Sequence, residues 1–157
     1  MGDAMVDVLV PLDAAMHAAE PELARSRATL KVAFPPRAGL SVRGDAAALE
    51  QLFLNLLLNA AQSLDDGGTV RVAVEDGDGV VRVAIRDAGR GMSPEVRARL
   101  FEPFYTTRSD GTGLGLPLAR RIARAHGGEI DVESARGAGT TVVVRLPRAA
   151  TGVAGEG

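Results

Sequence analysis

The sequence contains no cysteine and no tryptophan, and aromatic residues make up only 3% of its 157 residues. Without cysteine the chain can form neither a disulfide framework nor a thiolate metal site. Because only two histidines are present, a zinc site is not expected either. Positive charge is not in excess: the net charge of −2 argues against the basic footprint of a nucleic-acid-binding domain.

Long hydrophobic runs are missing as well. The apolar stretch at residues 6–12 is too short for a signal peptide and is interrupted by Asp7 and Pro11. No run reaches the length needed to span a membrane. We therefore expect a cytoplasmic segment without membrane contact of its own, either as it stands or as the soluble part of a longer, membrane-anchored protein.

Length and composition favour one soluble globular domain, with 46% hydrophobic and 24% charged residues. We assign residues 1–148 to this domain and predict that the small, polar tail at 149–157 is disordered. Glycine is abundant, at 19 residues, and clusters between Gly89 and Gly139. Such clusters indicate loops in which the backbone must approach something closely.

Periodicity and turn signals predict both helices and strands. Helices are expected at 12–27 (where Pro21 weakens the pattern), at 45–64 with Asp45 as N-cap, after Ser93-Pro94-Glu95, and at 114–125. Alternating residues predict strands at 29–34, 69–75, 80–86, 129–133 and 140–146, with the middle pair and the last pair as hairpins. Helices that would cover one face of these strands favour an α+β two-layer sandwich.

The predicted helix at 45–64 is apolar on nearly every side, yet it carries Asn55 and Asn59 one turn apart. A mid-helix asparagine costs roughly 0.5 kcal/mol relative to alanine, and an unsatisfied buried amide costs about 1–3 kcal/mol more. The two amides therefore either hydrogen-bond to loop backbone or bind a ligand through their oxygens. Mg²⁺ is a candidate because it prefers oxygen ligands.

The segment Asp87-Ala88-Gly89-Arg90-Gly91 follows the strand at 80–86. It is either a simple turn or a ligand-binding strand end, where Asp87 faces a cleft whose wall comes close because of the glycines. A carboxylate accepts hydrogen bonds, so it suits the exocyclic amino group of adenine and would repel the carbonyl of guanine.

The segment Gly111-Thr112-Gly113-Leu114-Gly115-Leu116 precedes the last predicted helix. Its spacing, the lack of a preceding strand and the lack of a Walker lysine argue against a Rossmann or P-loop site. It instead predicts a loop that presents backbone N–H groups to phosphate oxygens at a helix N-terminus. Arg108, just upstream, would add positive charge at the terminal phosphate.

Three of the five aromatic residues lie together at Phe101, Phe104 and Tyr105. They either pack in the core or form an apolar patch on a mobile lid or a partner-binding surface. The sequence leaves these alternatives open.

In this order, the segments resemble the catalytic and ATP-binding domain of bacterial sensor histidine kinases, from Gly44 to Pro147. The corresponding motifs are an asparagine box, a first glycine box, a phenylalanine box, a second glycine box and a glycine-threonine strand entry, at 52–60, 87–91, 101–104, 111–116 and 137–141. The sequences Phe-Glu-Pro-Phe-Tyr-Thr-Thr-Arg and Asn-Ala-Ala-Gln resemble the nitrogen-regulation class most.

The resemblance implies a Bergerat-type fold, a mixed sheet covered on one face by helices, which binds ATP with Mg²⁺ beneath a lid at roughly 90–112. It implies that Asn59 binds Mg²⁺ with support from Asn55, that Asp87 binds adenine N6, and that Thr140 holds a water molecule. The nucleotide would further contact the residues of the two glycine boxes, which are Gly89, Gly91, Gly111, Thr112, Gly113, Leu114, Gly115 and Leu116.

Position 55 distinguishes this sequence from ATPases that the resemblance places on the same fold, such as type II topoisomerases, heat-shock chaperones and mismatch-repair proteins. Those carry a glutamate that activates water where this chain has Asn55, and an amide cannot act as a general base near neutral pH. We therefore predict phosphoryl transfer rather than hydrolysis, with Asn55, Asn59 and Arg108 as the catalytic residues.

Neither histidine fits the phosphoacceptor of the family. His17 is followed by alanine rather than an acidic residue, and His126 is predicted to end a helix, where an imidazole suits the helix dipole. The expected partner is therefore a separate histidine-containing dimerisation domain and, indirectly, a response regulator. Two alternatives are a nucleotide-responsive interaction module without catalytic output and a serine kinase that regulates sigma factors. Gln62 stands where many family members have lysine, so a phosphate contact there is left open.

Overall fold

The computed structural model describes residues 4–34, 40–64, 67–89, 91–99, 101–102, 115–134 and 137–149. Its helices are α1 (Leu9–Ala18), α2 (Glu20–Arg25), α3 (Ala46–Gln62), α4 (Pro94–Arg99) and α5 (Gly115–Ala125). Its strands are β1 (Ala4–Asp7), β2 (Ala28–Ala33), β3 (Ser41–Gly44), β4 (Gly68–Gly77), β5 (Val80–Asp87), β6 (Glu129–Ser134) and β7 (Thr140–Pro147).

The main sheet has the strand order β2-β4-β5-β7-β6. Strand β2 runs parallel to β4, and the remaining neighbours are antiparallel, so the sheet is mixed. In the three central strands, β4, β5 and β7, every second residue is buried over most of the strand, and the residues that alternate with these are at least partly exposed. Helices α1, α3 and α5 pack beside one another against the buried face. The predicted two-layer sandwich is confirmed.

Helix α3 lies at the centre of the helical layer, and its start follows from the sequence. Asp45 has extended backbone angles, and its Oδ1 accepts hydrogen bonds from the N–H groups of Ala47 and Ala48 at 3.0 and 3.2 Å. Its apolar side chains are buried on more than one side of the helix, at Leu49, Leu52, Phe53, Leu56, Leu57, Ala60 and Ala61. Local capping and hydrophobic burial therefore specify the same helix.

Replacing Asp45 by alanine should lower the free energy of unfolding by about 1 kcal/mol, within a range of roughly 0.5–2, because two N–H groups of the first turn lose their acceptor. Urea denaturation measures this change. Asp45→Ser keeps a capping oxygen and should retain most of the stability. Equal stability of the alanine variant and the wild type would contradict the capping role.

The helix predicted at 12–27 is wrong as a single element. The chain forms α1 and α2 instead, with Ala19 between them. Pro21 has no N–H to donate to the carbonyl four residues earlier, so the α-helical bonding is interrupted at this position. Helix α1 also begins earlier than predicted, at Leu9, whose N–H donates to the Asp7 carboxylate at 3.0 Å.

Strands β1 and β3 were not predicted. They form a separate antiparallel pair in which Val6 faces Val42, and both side chains are buried. By contrast, the predicted β4–β5 hairpin is confirmed, and its two connecting residues, Asp78 and Gly79, have φ values of 55° and 73°. Two positive φ angles are typical of the type I′ turn that joins twisted strands.

Ala149 donates its N–H to the carbonyl of Ser41 at 2.7 Å. The rest of the tail predicted to be disordered lies outside the described residues. Among the helices of the described ranges, none is long and apolar enough to cross a membrane.

Candidate nucleotide-binding site

Asp87 ends strand β5, and its side chain is buried, with only 2% exposed. Its Oδ1 accepts a hydrogen bond from the N–H of Gly89 at 2.8 Å. Burial raises the pKa of the carboxyl group above its ordinary value, against the opposing effects of the Gly89 and Thr140 N–H groups and the charge of Arg86. A buried carboxylate can only accept hydrogen bonds, and each oxygen has more than one lone pair, so it is suited to recognising a hydrogen-bond donor on a ligand.

Two glycines allow the backbone to close around Asp87. A Cβ atom on Gly89 would lie 2.5 Å from the carbonyl oxygen of Ser63, so glycine brings the end of β5 against the C-terminal cap of α3. Gly139 has a φ of 77°, and a Cβ there would overlap the Asp87 carbonyl. The glycine clusters predicted a close approach of the backbone, and the structure shows one at each of these two glycines. Gly89 lies against the backbone of Ser63, and Gly139 lies against the backbone of Asp87.

Thr140 is the cross-strand neighbour of Asp87 and is also buried. The Ser134 hydroxyl donates to the Gly139 carbonyl at 3.0 Å and lies 2.8 Å from the Thr140 hydroxyl. Because Ser134 has one proton and the carbonyl can only accept, the Thr140 hydroxyl must donate to Ser134. Thr140 is thereby left as an acceptor. Ser134 was not predicted as a site residue, because a single serine at the end of an alternating strand does not indicate which hydroxyl or carbonyl it will contact.

Asn55 and Asn59 both lie on α3 with partly buried side chains. Asn55 bridges two helices, since its Oδ1 accepts from Gln51 Nε2 at 2.8 Å and its Nδ2 donates to the Gly115 carbonyl at 3.2 Å. The Asn59 side chain makes no hydrogen bond within the described residues, while its carbonyl accepts from Ser63. Asn55 thus hydrogen-bonds to a side chain of its own helix and to the first carbonyl of α5, whereas ligand binding by either amide stays a prediction.

The second glycine box is described only from Gly115 onward. Gly115 is the first residue of α5 and is exposed, and within the described residues nothing lies within 4 Å of the position that its Cβ would occupy. Leu116 is partly buried against the core. The remaining predicted positions of this region, Arg108, Gly111, Thr112, Gly113 and Leu114, lie outside the described residues.

Arg120 on α5 contacts Phe101 on one side and Glu129, at the start of β6, on the other. Its guanidinium lies 4.5 Å from the centre of the Phe101 ring, and its Nε donates to Glu129 at 3.1 Å. Arg124 donates to the other oxygen of Glu129 at 2.9 Å. Partial burial raises the pKa of Glu129, but the Arg124, Ile130 and Arg120 hydrogen bonds outweigh it and hold the pKa below its ordinary value. Phe101 packs partly against the core, whereas Phe104 and Tyr105 are not described.

His126 follows α5 and connects it to the start of α3. Its Nδ1 donates to the Ile122 carbonyl at 2.8 Å, and its Nε2 accepts from the Asp45 N–H at 3.1 Å. The ring occupies the space that a side chain on Gly44 would need. His126 therefore lies at the end of the helix, as predicted. Its hydrogen bond with the N–H of Asp45, 81 positions away, was not indicated by the sequence. His17 lies exposed on α1, beside Asp13.

The described side chains fit a bound Mg²⁺. Asn59 offers an amide oxygen with no partner among the described residues, and the Asn55 oxygen has a second lone pair beside its bond from Gln51. Neutral oxygen donors suit Mg²⁺, which keeps several waters and binds phosphate oxygens in the same sphere. Asn59 would hold the ion, and Asn55 would support it.

The mixed five-stranded sheet, the helical layer centred on α3 and the buried Asp87 at the end of β5 define the class of protein as a two-layer α/β sandwich. Residues 44–150 match the family described as histidine kinase-, DNA gyrase B-, and HSP90-like ATPase. The chain belongs to this family.

The curated relatives include histidine kinases. The chain is 43% identical over 107 residues to the sensor histidine kinase ZraS of Klebsiella oxytoca. The matched segment covers 68% of this chain and 23% of ZraS. It is 46% identical over 117 residues to the histidine protein kinase DivJ of Caulobacter vibrioides, covering 71% of this chain and 20% of DivJ. The matched segment thus spans about a fifth of these relatives.

Solved structures agree with this fold. A mycobacterial sensor histidine kinase, MprB, superposes with a TM-score of 0.83 at 30% identity, covering 95% of this chain and 99% of that one. Full-length ShkA, in complex with AMPPNP, superposes with a TM-score of 0.81 at 30% identity, covering 95% of this chain and 32% of ShkA.

Proposed function

We propose that this chain is the catalytic domain of a two-component sensor histidine kinase. It binds ATP with Mg²⁺ and donates the γ-phosphoryl group to a histidine on a separate dimerisation domain, from which a response regulator receives it. Support comes from the family, from the histidine kinases among the relatives and from ShkA, whose structure holds an ATP analogue. The segment works in the cytoplasm, and its motif variants favour the nitrogen-regulation class.

In this proposal each described residue has a defined task. The second oxygen of Asp87 accepts the adenine amino hydrogen, and Thr140, as an acceptor, holds a water molecule beside it. No described residue lies within 4 Å of the Cβ position of Gly115, so phosphates would approach the N-terminus of α5 there, where backbone N–H groups favour anions. Mg²⁺, when bound, would neutralise phosphate charge, and positioning with charge neutralisation is the main source of catalysis in phosphoryl transfer.

The amide at position 55 is the observation that favours phosphoryl transfer to a partner rather than hydrolysis of ATP. Asn55 has no basic atom, and both ends of its amide are engaged, by Gln51 and by Gly115. It cannot remove a proton from water. The bound ATP is therefore protected from hydrolysis until a histidine from the partner domain attacks the γ-phosphorus.

Two measurements test the proposal. Calorimetry should detect binding of ATP with Mg²⁺, and label from γ-labelled ATP should pass to a supplied cognate histidine hairpin. Labelled product should be acid-labile, as a phosphorylated histidine is. Binding without any transfer would reject the kinase proposal and support an interaction module, and labelled serine would support the serine kinase.

Replacing Asn59 by alanine should remove most of the benefit that Mg²⁺ gives to ATP binding. In the wild type, chelating Mg²⁺ should weaken ATP binding about tenfold or more, since the cation that Asn59 would hold and that would neutralise phosphate charge is lost. In Asn59→Ala the affinities with and without Mg²⁺ should converge. Calorimetry at both conditions measures this, and Asn59→Asp, which keeps an oxygen, is the control. An unchanged Mg²⁺ dependence in Asn59→Ala would reject the ligand role.

A further inference from the structure

We propose that Gln51 is a positioning residue that sets the orientation of the Asn55 amide and, through it, the position of the glycine loop end at Gly115. Gln51 lies one turn before Asn55 on the exposed side of α3. Its Nε2 is 2.8 Å from Asn55 Oδ1. This inference rests on the proposed function, because it assigns Gln51 to the same nucleotide site.

The direction of each hydrogen bond follows from chemistry. The Gly115 carbonyl can only accept, so Asn55 must present its Nδ2 to it. The Asn55 oxygen then points away, toward Gln51, which must donate through its own Nε2. Reversing either amide would bring two acceptors or two donors face to face. The three groups therefore specify one another's orientation.

The contact links elements that are far apart in sequence. Asn55 and Gly115 are separated by 60 positions, and Gly115 begins the helix that follows the predicted phosphate loop. The buried side chains of α5 itself are apolar, at Ala119, Ile122 and Ala123, and the hydrogen bond between His126 and Asp45 lies at the opposite end of α5 from Gly115. Apolar packing does not specify a direction for a polar group, so the hydrogen-bonded chain supplies the orientation.

Gln51 also affects how Asn55 meets its ligand. With one lone pair of Oδ1 held by Gln51, the other lone pair has a defined direction, and the amide is in place before the nucleotide arrives. Without Gln51, the Asn55 side chain would be held at one end only. Its oxygen would then have to be ordered when ATP with Mg²⁺ binds, which weakens binding.

The test uses two substitutions of similar size. Gln51→Met keeps the length of the side chain but has no donor, and it should weaken binding of ATP with Mg²⁺ by about two- to tenfold, the usual net value of a neutral hydrogen bond. Gln51→Glu should weaken it more, because a carboxylate only accepts and would compete with the Gly115 carbonyl for the Asn55 N–H group. Ala47→Glu, one turn earlier on the same helix, controls for the added charge and should bind as the wild type does.

A double-mutant cycle separates positioning through Asn55 from a general structural effect. In an Asn55→Ala background, Gln51→Met should change the ATP affinity by less than about 1.5-fold. Equal affinities of the wild type and Gln51→Met, or an undiminished effect of Gln51→Met in the Asn55→Ala background, would overturn the proposal.

A nucleotide-free measurement distinguishes failure of this proposal from failure of the proposed function. The side-chain amide signals of Asn55, identified by their loss in Asn55→Ala, should shift in the NMR spectrum of Gln51→Met and exchange faster with solvent. Unchanged Asn55 signals would overturn the contact whether or not ATP binds. If the wild type binds no nucleotide, the proposed function fails, and the claim that Gln51 serves the nucleotide fails with it, while shifted signals would still establish the contact.

Discussion

Replacing Asp87 by asparagine is expected to weaken ATP binding between about ten- and a hundredfold while the fold is retained, as expected for losing a hydrogen bond to a charged group. The aspartate has two acceptor oxygens, and one of them is taken by the Gly89 N–H. An asparagine has a single oxygen. Whichever way its amide is turned, an N–H group faces either Gly89 or the adenine amino group, and one of the two bonds is lost.

The same substitution should not destabilise the folded chain at neutral pH. Burial raises the pKa of Asp87 in the folded state, so the folded state binds this proton more tightly than the unfolded state does. Ionisation of Asp87 therefore lowers stability as the pH rises through the unfolded and then the folded pKa. Asp87→Asn is free of this loss, so its advantage should be largest at neutral pH and should shrink as the pH falls through the folded pKa.

Calorimetry with ADP or ATP and thermal unfolding between neutral and acidic pH measure the two effects. Asp78→Asn, the same chemical change in the β4–β5 turn, is the matched control, and asparagine tolerates the positive φ found there. Undiminished ADP affinity in Asp87→Asn would reject the adenine assignment. A variant that unfolds more readily than the wild type at neutral pH would contradict the effect of burial.

Replacing Gly139 by alanine should destabilise the fold by more than about 2 kcal/mol, since a positive φ alone costs roughly 1–2 kcal/mol for a residue with a Cβ. Its φ of 77° is unfavourable for alanine, and the new Cβ would overlap the carbonyl oxygen of Asp87. The β5–β7 register would have to shift where the two strands bring Asp87 opposite Thr140. ATP binding should fall with the stability.

Gly137 provides the matched control in the same turn. Its φ is 80°, but within the described residues nothing lies within 4 Å of its Cβ position, so Gly137→Ala should show the backbone cost alone, about 1 kcal/mol. Urea denaturation and nucleotide titration of both variants compare them. Equal losses at the two positions would show that the close approach to Asp87 is not needed.

Much of the fold was predictable because its signals are local. The Asp45 cap, the buried periodicity of α3 and the positive-φ turn of the β4–β5 hairpin each depend on residues close in sequence, and each is confirmed. The elements that were missed depend on distant partners. Strands β1 and β3 are only four residues each, and Val6 pairs with Val42 across two helices and a strand.

The candidate site divides in the same way. The predicted residues of the described region lie on the elements or loops that the sequence indicated, although their roles toward ATP and Mg²⁺ stay predictions. They are Asn55, Asn59, Asp87, Gly89, Gly91, Gly115, Leu116 and Thr140. The residues missed were those whose role is a contact between elements. Ser134 orients the Thr140 hydroxyl, Gln51 holds the Asn55 amide, and His126 accepts from Asp45.

The sequence by itself determined the family, the order of the motifs and the chemical choice at position 55, because residue types and short spacings encode these directly. The tertiary structure decided which atoms of those residues are available. An amide or hydroxyl can serve a ligand only with the donors and acceptors that its neighbours leave open, and those neighbours come from other strands and helices. Asn55 shows the difference: its identity excludes a general base, but only the packing of α3 against α5 determines where its oxygen points.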